Sequence, residues 1–300
     1  ATLPVPAASA DNCRLLLVLK LHYHSTHRPL SGYNHWCTIM TPVRILPAIL
    51  LCLLPFSLLA ESPEEKGLAI AQEADRRDSG FRNYTNDVRM ILKNRQGQES
   101  VREIRSKTLE VDGDGDKSLT IFDEPRDVKG TALLSFTHKT GPDDQWLYLP
   151  ALKRVKRIAS DNKSGPFMGS EFAYEDITSQ EVDKYTYRFL QDDTLDGLDV
   201  FVFERDPIDK KSGYTRQVIW LDKEHYKERK IEYYDRKNVL LKTLVFTDYN
   251  LYLDKYYRAH DMYMVNHQTG KSTRLLQSNF KFDVELTDRD FDKNSLKRAR

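Results

Sequence analysis

Cysteine is almost missing from this 300-residue chain: only Cys13, Cys37 and Cys52 occur, and all precede residue 61. Residues 61–300 therefore contain no thiol for a disulfide or a cysteine-based metal site, even in an oxidising compartment. Histidine is sparse in the same stretch. His138, His225, His260 and His267 stand apart, with no H-x-x-x-H pair among them, so the spacing of metal hydrolases is absent. There is no Gly-Xaa-Ser-Xaa-Gly elbow and no phosphate-cradling glycine loop. Asp143-Asp144 and Asp192-Asp193 are carboxylate pairs, but adjacent residues in turn segments read as solvated. No motif supports an enzyme, and neither catalytic residues nor a metal or other cofactor is expected.

A surplus of positive charge is lacking as well. Setting Arg14, Lys20, Arg28, Arg44 and Asp11 aside from 46 basic and 45 acidic side chains leaves 42 and 44 beyond residue 60. A near-neutral, slightly acidic balance argues against a general nucleic-acid binder. Linkers rich in Pro, Gly or Ser are also missing, so about 240 residues read as one domain, large enough for a real core.

The chain has one long apolar run. Met40-Thr-Pro-Val-Arg44 precedes Ile45 to Ala60, and a polar stretch starts at Glu61: a basic start, an apolar centre and a small residue before polar sequence form a secretory signal peptide. The run is short for a membrane span of about 20 residues and contains Pro47 and Pro55. We expect residues 40–60 to be a cleaved leader, 1–39 a spurious upstream extension, and 61–300 a single exported domain.

From Pro63 to Ser79, Leu68, Ile70, Ala71 and Ala74 recur at helical spacing, with Ser62 suited to cap the start and Gly80 to end it. The period then changes to two. Strands are expected at 83–94, 100–111, 117–122, 131–139, 145–149, 153–158, 184–191, 198–205, 214–222, 227–235, 239–249, 258–266 and 273–285. Short turn-forming separators between them favour an antiparallel meander, and so many twisted strands curl. In the last strand Leu276, Phe280, Phe282 and Val284 share one face, while the segments 145–150, 199–204 and 217–222 are apolar on both. Strands of that second kind need cover on two sides.

Asp112-Gly-Asp-Gly-Asp116 begins like a calcium loop, but Lys117 stands where a glycine is needed and Asp123 where a glutamate is needed. It reads as an acidic turn. More distinctive is Trp146 to Ala159, an aromatic strand that turns at Pro150 into Lys153, Arg154, Lys156 and Arg157, followed by a glycine-flanked loop with Phe167, Met168, Phe172 and Tyr174. The basic strand is suited to docking acidic head groups or an acidic protein, and the Phe-Met loop to covering an apolar cavity.

Tyr148 to Ile158, Ser164-Gly-Pro-Phe-Met-Gly-Ser-Glu-Phe172 and Tyr174-Glu-Asp176 resemble the signature of LolA-like outer-membrane lipoprotein-sorting proteins, with support from Asp116 to Leu119, Asp127 to Leu134 and Phe291 to Leu296. The resemblance spans 68–300. It implies a mainly β periplasmic protein, an unclosed antiparallel half-barrel whose concave face is plugged by helix and loop over an apolar cavity for acyl chains. The expected role is a non-enzymatic carrier of lipoprotein acyl chains or another lipid, working between an inner-membrane exporter and an outer-membrane acceptor. An interaction or scaffold protein of an RND-type exporter complex is the alternative. Trp146, Tyr148, Phe167, Met168, Phe172, Phe280 and Phe282 are the expected cavity or lid residues; Lys153, Arg154, Lys156 and Arg157 are the expected docking residues.

Overall fold

The computed structural model describes residues 61–298; the expected leader and the segment before it lie outside the described residues. Helix α1 (Pro63–Asp78) opens on a reciprocal cap in which the Ser62 hydroxyl accepts from the Glu65 amide and the Glu65 carboxylate accepts from the Ser62 amide. Thirteen strands follow: β1 (Asn83–Lys93), β2 (Glu99–Leu109), β3 (Lys117–Glu124), β4 (Ala132–Phe136), β5 (Asp144–Leu149), β6 (Arg154–Ile158), β7 (Tyr185–Leu195), β8 (Leu198–Pro207), β9 (Tyr214–Asp222), β10 (Glu228–Asp235), β11 (Leu240–Tyr252), β12 (Tyr256–Asn266) and β13 (Ser272–Phe282). A short helix α2 (Lys293–Arg298) ends the described chain. Each expected strand is present, with ends moved by a few residues.

All thirteen join in one antiparallel sheet ordered β6-β5-β4-β3-β2-β1-β13-β12-β11-β10-β9-β8-β7. The first and last strands are neighbours in the middle, so the two free edges, β6 and β7, are consecutive in the chain. The architecture is an unclosed half-barrel, and residues 159–184, a succession of short 3-10 turns, form the strap that links one edge to the other.

Period-two alternation sorts the side chains. Phe122, Leu133, Leu147 and Ile158 point to the concave face with Met90, Ile104 and Phe167; their neighbours Ile121, Leu134 and Trp146 point outward, beneath Phe291 and Leu296. The closing Phe291 to Leu296 stretch is thus the cover that these two-faced strands require. On β8 and β9 the outer apolar patch of Val200, Val202 and Val218 has no helix packed against it among the described residues. Cationic side chains lie over its flanks instead: Arg216 stacks 3.5 Å from the Tyr234 ring and Lys230 3.4 Å from Trp220.

On the concave side of β7–β12, Phe203, Ile219, Leu221, Ile231, Leu244 and Met264 pack with Ile70 and Ala71 of α1 and with Phe172 of the strap. Gly67 permits the approach of the helix. A Cβ there would lie 2.8 Å from the Phe189 amide nitrogen, so α1 rests on the backbone of edge strand β7.

Candidate functional site

A cavity of about 1030 Å³ opens between α1, the ends of β1 and β2, the acidic turn before β3, residues 179–182 of the strap and the concave face of β8–β12. Its inner wall is apolar, with Phe203, Leu221, Phe246 and Met262 facing Ala71 and Ala74 of the helix. Its rim is charged: Asp75, Asp78, Glu110, Asp112, Asp114, Asp116, Glu181 and Glu228 meet Arg82, Lys139, Arg205, Lys227 and Arg258.

Part of this charge is structural. Asp78, at the C-terminal end of α1, accepts from Arg258 Nη1 at 2.8 Å and is paired with Lys227. Burial opposes its charge, but the two cations prevail and hold its carboxyl below the usual range. Arg258 also lies over the rings of Phe81 and Tyr84, at 5.2 and 5.5 Å. Glu110 accepts from the amides of Gly80 and Arg82, Asp114 from His138 Nδ1 at 2.8 Å, and Glu228 pairs with Arg205.

Two rim carboxyls behave differently. Burial pushes Asp116 up to about 6 despite a 2.9 Å hydrogen bond from the Ser179 hydroxyl. Burial, then the charges of Asp116 and Asp75, push Glu181 up to about 7, against the pull of Lys184 and Lys139. Carboxyls raised in this way bind protons more tightly folded than unfolded. Their stabilising contribution is complete below their ordinary values near about 4 and is lost as the pH rises through the raised values. The double variant Asp116→Asn/Glu181→Gln should therefore be more stable than the parent at about pH 8, by about 1–3 kcal/mol, with the gap closing towards about pH 4. Urea unfolding across that range measures it, and a gap independent of pH would contradict the assignment.

The seven expected cavity or lid residues fall elsewhere; none lines this cavity. Trp146 faces outward, edge-on to Phe136 at 5.2 Å and beneath Lys293 at 4.4 Å, and Tyr148 packs on the same outer cluster. The reason is parity, since Leu147 and Leu149 between and beside them take the concave side. Phe167 and Phe172 are 2% and 1% exposed, one in each half of the concave core, and Met168 packs on the first of these. Phe280 and Phe282 join Tyr84, Tyr252 and Tyr256 in an aromatic group beside the cavity. Of the four expected docking residues, Arg157 is paired with Asp144, whereas Lys153, Arg154 and Lys156 have no ion-pair partner among the described residues. In the sequence the acidic turn 112–116 marks part of this rim, with nothing to connect it to Glu181.

Among the described residues no group of three or more His, Cys, Asp or Glu is arranged to hold a metal ion, and no helix is long and apolar enough to cross a membrane.

An open antiparallel half-barrel with a helix and a strap across its concave face defines the class. A family model described as an uncharacterized protein matches residues 114–298. An outer-membrane lipoprotein-sorting protein domain from Vibrio parahaemolyticus is 62% identical, covering 78% of this chain and 100% of its own, with a TM-score of 0.77. A DUF1329 family protein from Desulfovibrio piger is 31% identical, covering 78% and 99%, with a TM-score of 0.75. A LolA superfamily protein from Nitrosomonas europaea shares the fold at 21% identity, covering 76% and 98%, with a TM-score of 0.63. The chain belongs to the LolA-like outer-membrane lipoprotein-sorting family. No curated protein matches it.

Proposed function

We propose that this protein is a non-enzymatic periplasmic carrier that shelters the apolar part of a lipid or lipoprotein beneath α1. The observation that carries the reading is the cavity of about 1030 Å³ between the helix and the concave sheet. It stands at the upper end of the roughly 300–1,000 Å³ typical of ligand sites. Phe203, Leu221, Phe246 and Met262 supply an apolar wall for an acyl chain. Each methylene removed from water contributes about 0.8 kcal/mol, so a chain of ordinary length needs no reacting group to be held. Release then requires a partner that competes with or opens the cavity, as expected of a carrier passing cargo from an inner-membrane exporter to an outer-membrane acceptor. Lys153, just before free edge strand β6, and Arg154 and Lys156 on it, which have no ion-pair partner among the described residues, are the surface we assign to that partner.

Filling the cavity tests the proposal. Ala74→Trp, on the cavity side of α1, should reduce uptake of a fluorescent fatty-acyl probe by about tenfold or more while the protein still unfolds cooperatively. Protein purified from the periplasm should also carry lipid visible by native mass spectrometry. Uptake unaffected by the tryptophan, together with ligand-free native protein, would leave the scaffold role using the β6 edge as the better account.

A further inference from the structure

We propose that the cavity rim is a cation subsite, so that the amphiphile carried has an ammonium group at its polar end, seated among Asp75, Asp116 and Glu181. This inference rests on the carrier reading above and specifies its ligand.

The three carboxylates come from separate parts of the chain: α1, the turn just before β3 and the strap just before β7. They remain once the partnered rim carboxylates and Asp112, exposed in the acidic turn, are set aside. Asp78, Glu228, Glu110 and Asp114 all have partners within the protein. Asp116 has a single hydroxyl donor, Ser179. The side chains of Asp75 and Glu181 have no hydrogen bond or ion pair among the described residues, although both line the cavity.

Glu181 is the most telling of the three. It is 9% exposed, and its Oε1 lies 2.9 Å from where a Cβ on Gly115 would sit, so the glycine leaves space for the carboxylate. Burying a carboxylate without a partner is costly. Either a proton or a bound cation relieves that cost, and the site is placed to accept both. Opposing charge comes from Lys139, which faces both Glu181 and Asp75 and has no ion-pair partner among the described residues, from Lys184, which faces Glu181 but is paired with Asp143, and from Arg258, engaged by Asp78, which faces Asp116 from β12. Asp78 and Glu110 add negative potential around Asp116, as Asp78, Asp183 and Glu110 do around Asp75.

An ammonium group supplies charge and hydrogen-bond donors at once. A phosphate would meet three carboxylates. An organic ammonium reaches them at the end of a chain lying along the apolar wall. Binding such a cation displaces protons from Asp116 and Glu181, so affinity for it should rise with pH through about 6 and about 7.

Calorimetric titration of the purified protein with decylammonium, decyl phosphate and the uncharged decyl glucoside, each below its micellar concentration, tests this. At about pH 8 decylammonium should bind about tenfold or more tightly than decyl phosphate. The ratio should shrink towards about pH 5, and in Glu181→Gln and Asp116→Asn/Glu181→Gln it should approach unity even at the higher pH. Equal affinities, or a preference for phosphate, with the glucoside still bound would overturn the cation subsite and leave the carrier reading intact. Failure of all three to bind would overturn both.

Discussion

Replacing Lys242 by methionine should cost about 3–5 kcal/mol of folding stability, because it strands a buried carboxylate. Lys242 on β11 and Asp176 in the strap are 4% and 2% exposed, with Nζ 2.6 Å from Oδ2. The same ammonium donates to the Glu171 carbonyl at 2.9 Å, and Asp176 accepts from the Tyr214 hydroxyl at 2.8 Å and from the Ala173 amide at 2.6 Å. One ion pair therefore holds the strap to β9 and β11. Next to it, Glu175 accepts from Ser212 Oγ at 2.7 Å and from the Gly213 amide at 2.8 Å, tying the strap to the β8–β9 turn. The Tyr174-Glu-Asp176 sequence, conspicuous as part of a family signature, is thus a structural anchor. Urea unfolding of Lys242→Met, Asp176→Asn and the double variant measures the coupling: the double variant should lose less than the sum of the single variants by more than about 1 kcal/mol. Additive losses, or a loss below about 1 kcal/mol for Lys242→Met, would show that the pair does not hold the strap.

Alternation made the strands legible because it is a property of neighbouring residues. Ser62, Pro63 and Gly80 marked the helix ends for the same reason, and Gly80 does adopt the left-handed backbone that suits a glycine. The cavity depends on relations between distant residues. Trp146 and Leu147 are both apolar, and only pairing with Leu134 and Leu133 decides which faces inward. Likewise Asp75, Asp116 and Glu181 look like ordinary surface acids until β1–β3, α1 and the strap bring them to one rim. The fold was therefore readable strand by strand, whereas the site required the complete sheet order, including the central contact of β1 with β13.

That order also determines what the Phe-Met loop does. Phe167 lies 5.7 Å from Phe122 in the β1–β6 half of the core, and Phe172 is buried in the β7–β12 half with Tyr187, Phe203 and Tyr214. Between them the chain reverses tightly: the Phe167 amide donates to the Phe172 carbonyl at 2.7 Å, and Met168, with a positive φ of 50°, has its carbonyl held by Arg102. A movable cover would lose little stability on truncation of either ring. A rivet joining two half-sheets would lose about 3–5 kcal/mol for Phe167→Ala or Phe172→Ala, the range for large-to-small changes in a packed core. We expect the rivet result for each. The double variant should fall short of the sum, since a strap released at one ring no longer holds the other in place. Thermal or urea unfolding decides, and a cost below about 1 kcal/mol for either ring, with faster probe uptake, would instead identify the loop as a lid.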